Sequence, residues 1–341
     1  MLSELKNRYF AAHIFIIFNV RSSLKMVSRR LLRVKILQIS YAYFKSSDQS
    51  INHSEKELFF SIQKSYDLYH YLILLIIDIV NYAESRIDLA SKKRIPTYDD
   101  LNPNKKFTEN LLVKKLEQNT SLQSYLNNQK LSWVNYPELI KNLYNEIKDS
   151  DLYKSYMNSG VSSFTEDKKF ITEVYSHIIA QYEPLYQNLE EQSIYWNDDI
   201  EFVIQMIIKS FRSFKVNSDE NTELMPLFKN DEDKDFTKRL FRKVVLNYKE
   251  NEDLISKFIQ NWDVERVAFI DNVIMCLAIS ELVEFPEIPT KVTLDEYIEI
   301  AKFYSTQKSN IFINGILDKI VEHLKKEGKI KKSGRGLIGE I

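Results

Sequence analysis

Residues Ile288 to Leu324 read IPTKVTLDEYIEIAKFYSTQKSNIFINGILDKIVEHL and contain two helical patterns separated by the polar segment STQKS. Thr293 and Glu296 have the T-x-x-E spacing of a capping box, which predicts the start of a helix that runs to about Tyr304. A last helix is expected from Ser309 to Gly328, where a glycine suits the C-terminal cap. This end of the chain is therefore helical.

The segment upstream is also predicted to be helical. Asp263 is expected to cap a helix that extends to about Glu284 and is ended by Pro286 and Pro289. Its apolar residues recur at helical spacing, namely Ile270, Ile274, Leu277, Ala278 and Leu282.

Composition favours helices over the whole chain. Glycine occurs only 6 times in 341 residues, whereas a parallel α/β enzyme needs glycines where its backbone turns sharply or approaches phosphate. The 47 basic and 48 acidic residues nearly cancel, so any nucleic-acid binding must come from a local patch. We predict an all-α protein.

Such a patch occurs near the N-terminus. Between Arg21 and Ser47 there are seven basic residues and no acidic one. At about 100° per residue, a core stripe separates from an opposite polar face. The core stripe consists of Leu32, Ile36, Ile39 and Tyr43, and the opposite face of Arg30, Val34, Gln38, Tyr41 and Lys45, with Arg29 and Arg33 on its flank. This face offers cations that can bind phosphates, a tyrosine on which a base can stack and an amide that can bond to a base edge. Single-stranded RNA is the ligand that such a combination favours, although a helix face that is merely solvated fits the same pattern.

Two stretches resemble the NusB family of transcription antitermination factors. RRLLRVKILQISYA, residues 29–42, is similar to the arginine-rich first helix of that family. Leu294 to Lys302 and Phe312 to Lys319 resemble the family's "NEAVELAK" and "FVNGVLDK" segments, and Trp262 to Glu284 fits the helix before its proline-containing turn. The resemblance covers roughly a third of the chain, about residues 28–44 and 235–324.

The resemblance implies an all-α fold of two small helical bundles and a function in ribosomal RNA transcription. It implies binding of boxA-type RNA with a NusE-type small-subunit ribosomal protein, within an RNA polymerase antitermination complex. By position, the RNA-binding residues would be Arg29, Arg30, Arg33, Gln38 and Tyr41. Phe312, Asn314 and Asp318 would form the partner-binding surface, and we expect Gly315 to allow close helix packing.

The chain departs from the family in its length. Residues 26–45 would form the first helix of a split NusB-like module, residues 46–234 a helical insertion, and residues 235–328 the C-terminal bundle. We expect residues 1–25 to be an extension preceding a true start at Met26; initiation at Met1 would instead place an apolar segment directly before the basic helix. Residues 329–341 are expected to form a basic, flexible tail. The insertion leaves open a second function, a helical scaffold that docks a ribosomal protein or RNA polymerase without touching RNA.

Signs of catalysis or of a cofactor are lacking in the sequence. None of the five histidines stands at metal-ligand spacing to another His or Cys, and no phosphate-binding or dinucleotide motif occurs. Asp198 and Asp199 are expected to be solvated on a polar helix surface. The single cysteine, Cys276, suits a cytoplasmic protein, and the apolar run from Tyr9 to Val20 is too short to cross a membrane. We therefore predict a non-enzyme with no metal and no cofactor.

Overall fold

The computed structural model describes residues 28–46, 50–228, 230–259, 268–306 and 308–339. All regular secondary structure in these residues is helical, which confirms the predicted fold class. Within these described residues, two short 3-10 helices, Ile179–Gln181 and Gly334–Leu337, accompany fifteen α-helices. The α-helices are α1 Arg29–Lys45, α2 Ile51–Ser91, α3 Tyr98–Leu101, α4 Leu111–Glu117, α5 Thr120–Gln129, α6 Pro137–Asp149, α7 Asp151–Asn158, α8 Phe164–His177, α9 Glu183–Gln192, α10 Ile200–Ser213, α11 Asp231–Leu246, α12 Tyr248–Ile259, α13 Phe269–Glu284, α14 Thr290–Tyr304 and α15 Ser309–Lys326.

The N-terminal basic segment forms the predicted helix α1. Ser28 caps it by accepting a hydrogen bond from the backbone N–H of Leu31 at 3.3 Å. Leu32 and Ile36 are fully buried, Ile39 is nearly so, and Tyr43 lies at the boundary of the core. The predicted core stripe is thus confirmed at its three aliphatic positions.

Helix α13 is the centre of the C-terminal part. It is buried on nearly every side, from Val273 to Leu282, and packs against α1, α11, α12, α14 and α15. Cys276 lies in this core, where burial raises the pKa of its thiol. The predicted cap at Asp263 lies outside the described residues, as does Trp262.

The longest helix, α2, belongs to two groups of helices at once. It has 41 residues, about 60 Å of helix at 1.5 Å per residue. It packs against α1 and α11, and also against α3, α4, α5, α6 and α10 of the predicted insertion. Glu55 near its start pairs with Lys238 and Arg242 of α11. The insertion therefore shares a continuous core with the helices that resemble the family.

Two predicted boundaries differ from the structure. Helix α14 begins at Thr290, directly after Pro289, so Thr293 and Glu296 lie inside it. The capping-box prediction is wrong because both side chains bind other helices instead: Thr293 bonds to Glu281, and Glu296 bonds to Arg30. The predicted division at residues 234 and 235 falls within α11, which begins at Asp231.

The C-terminal residues lie against the turn between α13 and α14. Gly328 has a φ of +67° and its N–H donates to Lys325 at 3.0 Å, so α15 ends where the sequence predicts. Lys332 Nζ donates to the carbonyl oxygens of Leu282 and Phe285 at 3.1 and 3.2 Å. A Cβ on Gly336 would lie 1.9 Å from the carbonyl oxygen of Pro286. The described part of the predicted flexible tail is therefore held by specific contacts.

Candidate nucleic-acid and partner interface

The arginines of α1 meet carboxylates from the C-terminal helices. Arg29 Nε donates to Asp233 Oδ1 at 3.3 Å, and its guanidinium lies 5.1 Å from the centre of the Phe236 ring. Arg30 donates two hydrogen bonds to Glu296, at 2.9 and 2.8 Å. The hydrogen bond to Glu296 is the main cause that raises the pKa of Arg30. Both side chains keep part of their surface exposed, 30% for Arg29 and 37% for Arg30.

Arg33 is enclosed. Its side chain is 3% exposed and donates two hydrogen bonds of 2.7 Å to Glu281, which is completely buried. Burial alone would lower the pKa of Arg33, but the charge and hydrogen bonds of Glu281 outweigh it and raise the pKa. Glu281 also accepts hydrogen bonds from Thr293 Oγ1 at 2.9 Å and from Tyr297 OH at 3.0 Å. The RNA contact expected of Arg33 does not fit this position, because no face of its guanidinium is open to a phosphate.

A second buried pair joins α1 to the start of α10. Lys35 Nζ lies 2.8 Å from Asp199 Oδ2 and donates to the carbonyl oxygen of Tyr195 at 3.0 Å. Burial raises the pKa of Asp199, and the nearby Lys35 opposes that shift. The prediction that Asp199 is solvated is wrong. Asp198 is exposed but engaged, since it accepts hydrogen bonds from Gln38 Nε2 at 2.7 Å and Tyr304 OH at 3.1 Å.

The C-terminal half of α1 is the more open part. Tyr41 is 37% exposed and packs edge-on against Phe269, with ring centres 5.3 Å apart. Lys45 Nζ lies 4.1 Å from the centre of the same ring, and Lys45 forms no ion pair with a described carboxylate. We call Gln38, Tyr41, Lys45 and Phe269 the Phe269 surface. Sequence reasoning placed Lys45 on the right helix face but missed Phe269, which lies far away along the chain.

The residues expected to bind a protein partner lie on α15. Phe312 is partly buried against the core, and Asn314 Nδ2 donates to the exposed Asp318 at 3.3 Å. Gly315 is exposed, and a Cβ there would meet nothing within 4 Å. The packing role expected of Gly315 is therefore wrong, since none of the helices described above approaches it.

Tyr41 and the residues of α15 lie near one end of the C-terminal bundle, whereas Arg33 lies beside Glu281 near the other end of α13. Ser309, the first residue of α15, donates to Asp271 Oδ2 at 2.8 Å. Asp271 is two residues from Phe269, the ring that carries Tyr41 and Lys45. The start of α15 thus lies beside the start of α13, and Phe312 follows one turn later.

Comparison with known proteins agrees with the resemblance. The model of the NusB family matches residues 200–322. The transcription antitermination protein NusB of Salinibacter ruber is 43% identical over 115 residues, which are 34% of this chain and 72% of that protein. The chain belongs to the NusB family.

Further NusB proteins match over smaller shares of their length. The transcription antitermination protein NusB of Chloroherpeton thalassium is 43% identical over 31% of this chain and 50% of its own. The NusB of Natranaerobius thermophilus is 42% identical over 24% of this chain and 58% of its own. A solved structure of T. maritima NusB is 29% identical over 42% of this chain and 87% of that chain, with a TM-score of 0.26.

The described residues give little evidence of a metal site, a membrane-spanning helix or a catalytic histidine. No group of three or more His, Cys, Asp or Glu side chains there is placed to hold a metal ion. Among the helices given above, none combines the length and apolarity needed to cross a bilayer. His70 lies stacked on Tyr125 at 3.8 Å between ring centres, and burial lowers its pKa to about 4.

Proposed function

We propose that this NusB-family protein is a transcription antitermination factor that binds boxA-type single-stranded RNA. It does so with a NusE-type small-subunit ribosomal protein, in a cytoplasmic RNA polymerase complex that transcribes ribosomal RNA. The proposed role requires no catalysis and no cofactor. Family membership supports the general role, and the Phe269 surface supports the contact with RNA.

The Phe269 surface carries the proposal because it can bind RNA without first breaking an ion pair with a described carboxylate. Tyr41 presents an exposed ring on which a base can stack, and Lys45 beside it can neutralise a phosphate. Gln38 would offer its amide to a base edge after release from Asp198. Arg29 and Arg30 can contribute only by exchanging a carboxylate for a phosphate, so their part is smaller than the sequence predicts.

The NusE-type partner is assigned to the neighbouring start of α15. Phe312 offers apolar surface there, and Asn314 and Asp318 offer hydrogen-bonding groups. Because this surface adjoins the Phe269 surface, one RNA strand can contact both proteins. We expect the partner to strengthen RNA binding, since a single tyrosine and lysine bind RNA weakly by themselves.

The test is RNA binding by the full chain, measured by fluorescence anisotropy with a leader-type single-stranded RNA, with and without the NusE-type protein. Tyr41→Ala removes a stacking contact of about 1–3 kcal/mol, and we expect affinity to fall by about 5- to 150-fold. Lys45→Gln should reduce the slope of log K against log salt by about 0.7.

Matched control positions lie just beyond the far end of α2, at Lys92 and at Tyr98 of α3. Tyr98 is 78% exposed and Lys92 is exposed, so Tyr98→Ala and Lys92→Gln remove the same groups elsewhere. These variants should bind RNA as the unaltered chain does. Absence of RNA binding in every mixture, while the NusE-type protein still binds, would contradict the proposal and leave a protein scaffold as the function.

A further inference from the structure

Four cations of the predicted insertion surround the C-terminal end of α10. Lys115 comes from α4, Lys168 from α8, Arg212 from α10 itself, and Lys215 from the loop that follows. Arg212 and Lys215 are exposed, and Lys115 and Lys168 are half-buried. We call these four residues the α10 cation cluster.

Backbone carbonyl groups fix two members of the cluster. Lys115 Nζ donates to the carbonyl oxygen of Ser218 at 2.5 Å, and Lys168 Nζ donates to that of Phe214 at 2.8 Å. Both ammonium groups lie over the buried ring of Phe164, at 5.7 and 5.5 Å from its centre. The carbonyls at the end of a helix attract cations, which explains where Lys168 is held, whereas Lys115 is held by the loop that follows α10. These contacts are not ion pairs, because carbonyl oxygens carry no net charge.

Within the described part of the chain, none of the four cations forms an ion pair with a carboxylate. From residue 202 to residue 218 the sequence contains no acidic residue. The neighbouring carboxylate of Asp167 is turned away, since it accepts hydrogen bonds from Tyr156 OH and from the backbone N–H of Leu111. This differs from α1, where carboxylates bind Arg29, Arg30, Arg33 and Lys35.

We propose that the α10 cation cluster is a second RNA contact, one that binds the phosphate backbone of the strand beyond the Phe269 surface. Concentrated positive charge without paired carboxylates attracts a polyanion, and phosphates need no base-specific partner. Phe164 is buried, so it positions the lysines and does not stack on a base. The inference rests on the proposed function, because it assigns the same RNA to a second surface.

The separation of the two surfaces sets the length of RNA required. Gln38 of the Phe269 surface bonds to Asp198, just before α10, and the 14 residues of α10 carry the chain roughly 20 Å from there to the cluster. At about 3.4 Å per phosphate of a stacked strand, this distance corresponds to roughly six nucleotides. An RNA that reaches both surfaces must therefore be longer than one that fills the Phe269 surface alone.

The experiment compares the full chain with Arg212→Gln/Lys215→Gln and with Arg212→Lys/Lys215→Arg, in the presence of the NusE-type protein. Anisotropy titrations use single-stranded RNAs of about three and about eighteen nucleotides at several salt concentrations. Loss of two phosphate contacts, at a coefficient of about 0.7 each, should weaken binding of the longer RNA about 25-fold at 0.1 M salt and under about 3-fold at 0.5 M. The charge-preserving variant should bind both RNAs as the unaltered chain does, and the short RNA should not distinguish any variant.

Two outcomes distinguish a failure of the second RNA contact from a failure of the proposed function. If Arg212→Gln/Lys215→Gln binds the longer RNA normally at low salt while Tyr41→Ala binds it weakly, the second contact is wrong and the proposed function stands. If the unaltered chain binds neither RNA, the proposed function fails and the second contact fails with it.

Discussion

The buried pair of Arg33 and Glu281 gives a sharp prediction about stability. Arg33→Met keeps most of the side-chain volume but leaves Glu281 buried without its cation. Removing one partner of a buried ion pair costs about 3–5 kcal/mol. Thr293 and Tyr297 still donate to Glu281, so we expect the lower end of that range, about 3 kcal/mol. Arg30→Met is the matched control, because its more exposed pair with Glu296 contributes about 0–1 kcal/mol.

Thermal unfolding followed by circular dichroism at neutral pH measures the difference. We expect Arg33→Met to lower the Tm by about 4 °C, and Arg30→Met by about 1 °C or less. In Arg33→Met/Glu281→Gln the buried charge is gone, and the new amide keeps an acceptor for the hydroxyl of Tyr297. The double variant should therefore be more stable than the two single effects predict when added. An Arg33→Met protein that unfolds like the unaltered chain yet loses RNA binding would refute this reasoning and restore Arg33 as an RNA contact.

Three further predictions concern stability. Gly336→Ala should lower the free energy of unfolding by about 1–3 kcal/mol, because its Cβ would overlap the carbonyl of Pro286. Gly315→Ala should raise the free energy of unfolding by up to about 1 kcal/mol, because Gly315 lies on an exposed helix face. Urea denaturation measures both changes. Thr293→Val should cost about 1–2 kcal/mol in the same assay by removing a buried hydrogen bond to Glu281, and an unchanged midpoint would contradict that bond. Burial raises the pKa of Asp78 from 3.8 to about 6, so the folded state holds its proton more tightly and stability falls as pH rises through that interval. Asp78→Asn should remove this fall, and equal pH profiles of Tm in both proteins would exclude it.

Local patterns in the sequence predict much of the fold. The helical period identifies α1 and its aliphatic core stripe, and the glycine at position 328 marks the end of α15 because it takes a positive φ. The motif-bearing segments of α14 and α15 are enough to recognise the family. These features depend on residues within a few turns of one another, which a single sequence displays directly.

The site is less predictable because its contacts join distant parts of the chain. Arg33 meets Glu281 248 residues later, and Arg30 meets Glu296 266 residues later. An arginine-rich helix alone cannot show that carboxylates from α13 and α14 will bind its cations. The same limit explains Asp199, which looks like a surface residue beside Asp198 but pairs with Lys35 across 164 positions of sequence.

Helix α2 has a consequence for how this protein could be shortened. Residues 46–234 appear in the sequence as a cassette that a genetic deletion could remove, leaving a minimal protein of ordinary family length. The first turns of α2, however, pack against α1 and α11, and Glu55 there forms ion pairs with Lys238 and Arg242 of α11. A deletion at those boundaries would remove these turns of α2 and expose aliphatic residues of α1 to water. A viable miniature must keep the beginning of α2 and break the helix further along, where Tyr71 and Tyr82 contact residues of the predicted insertion.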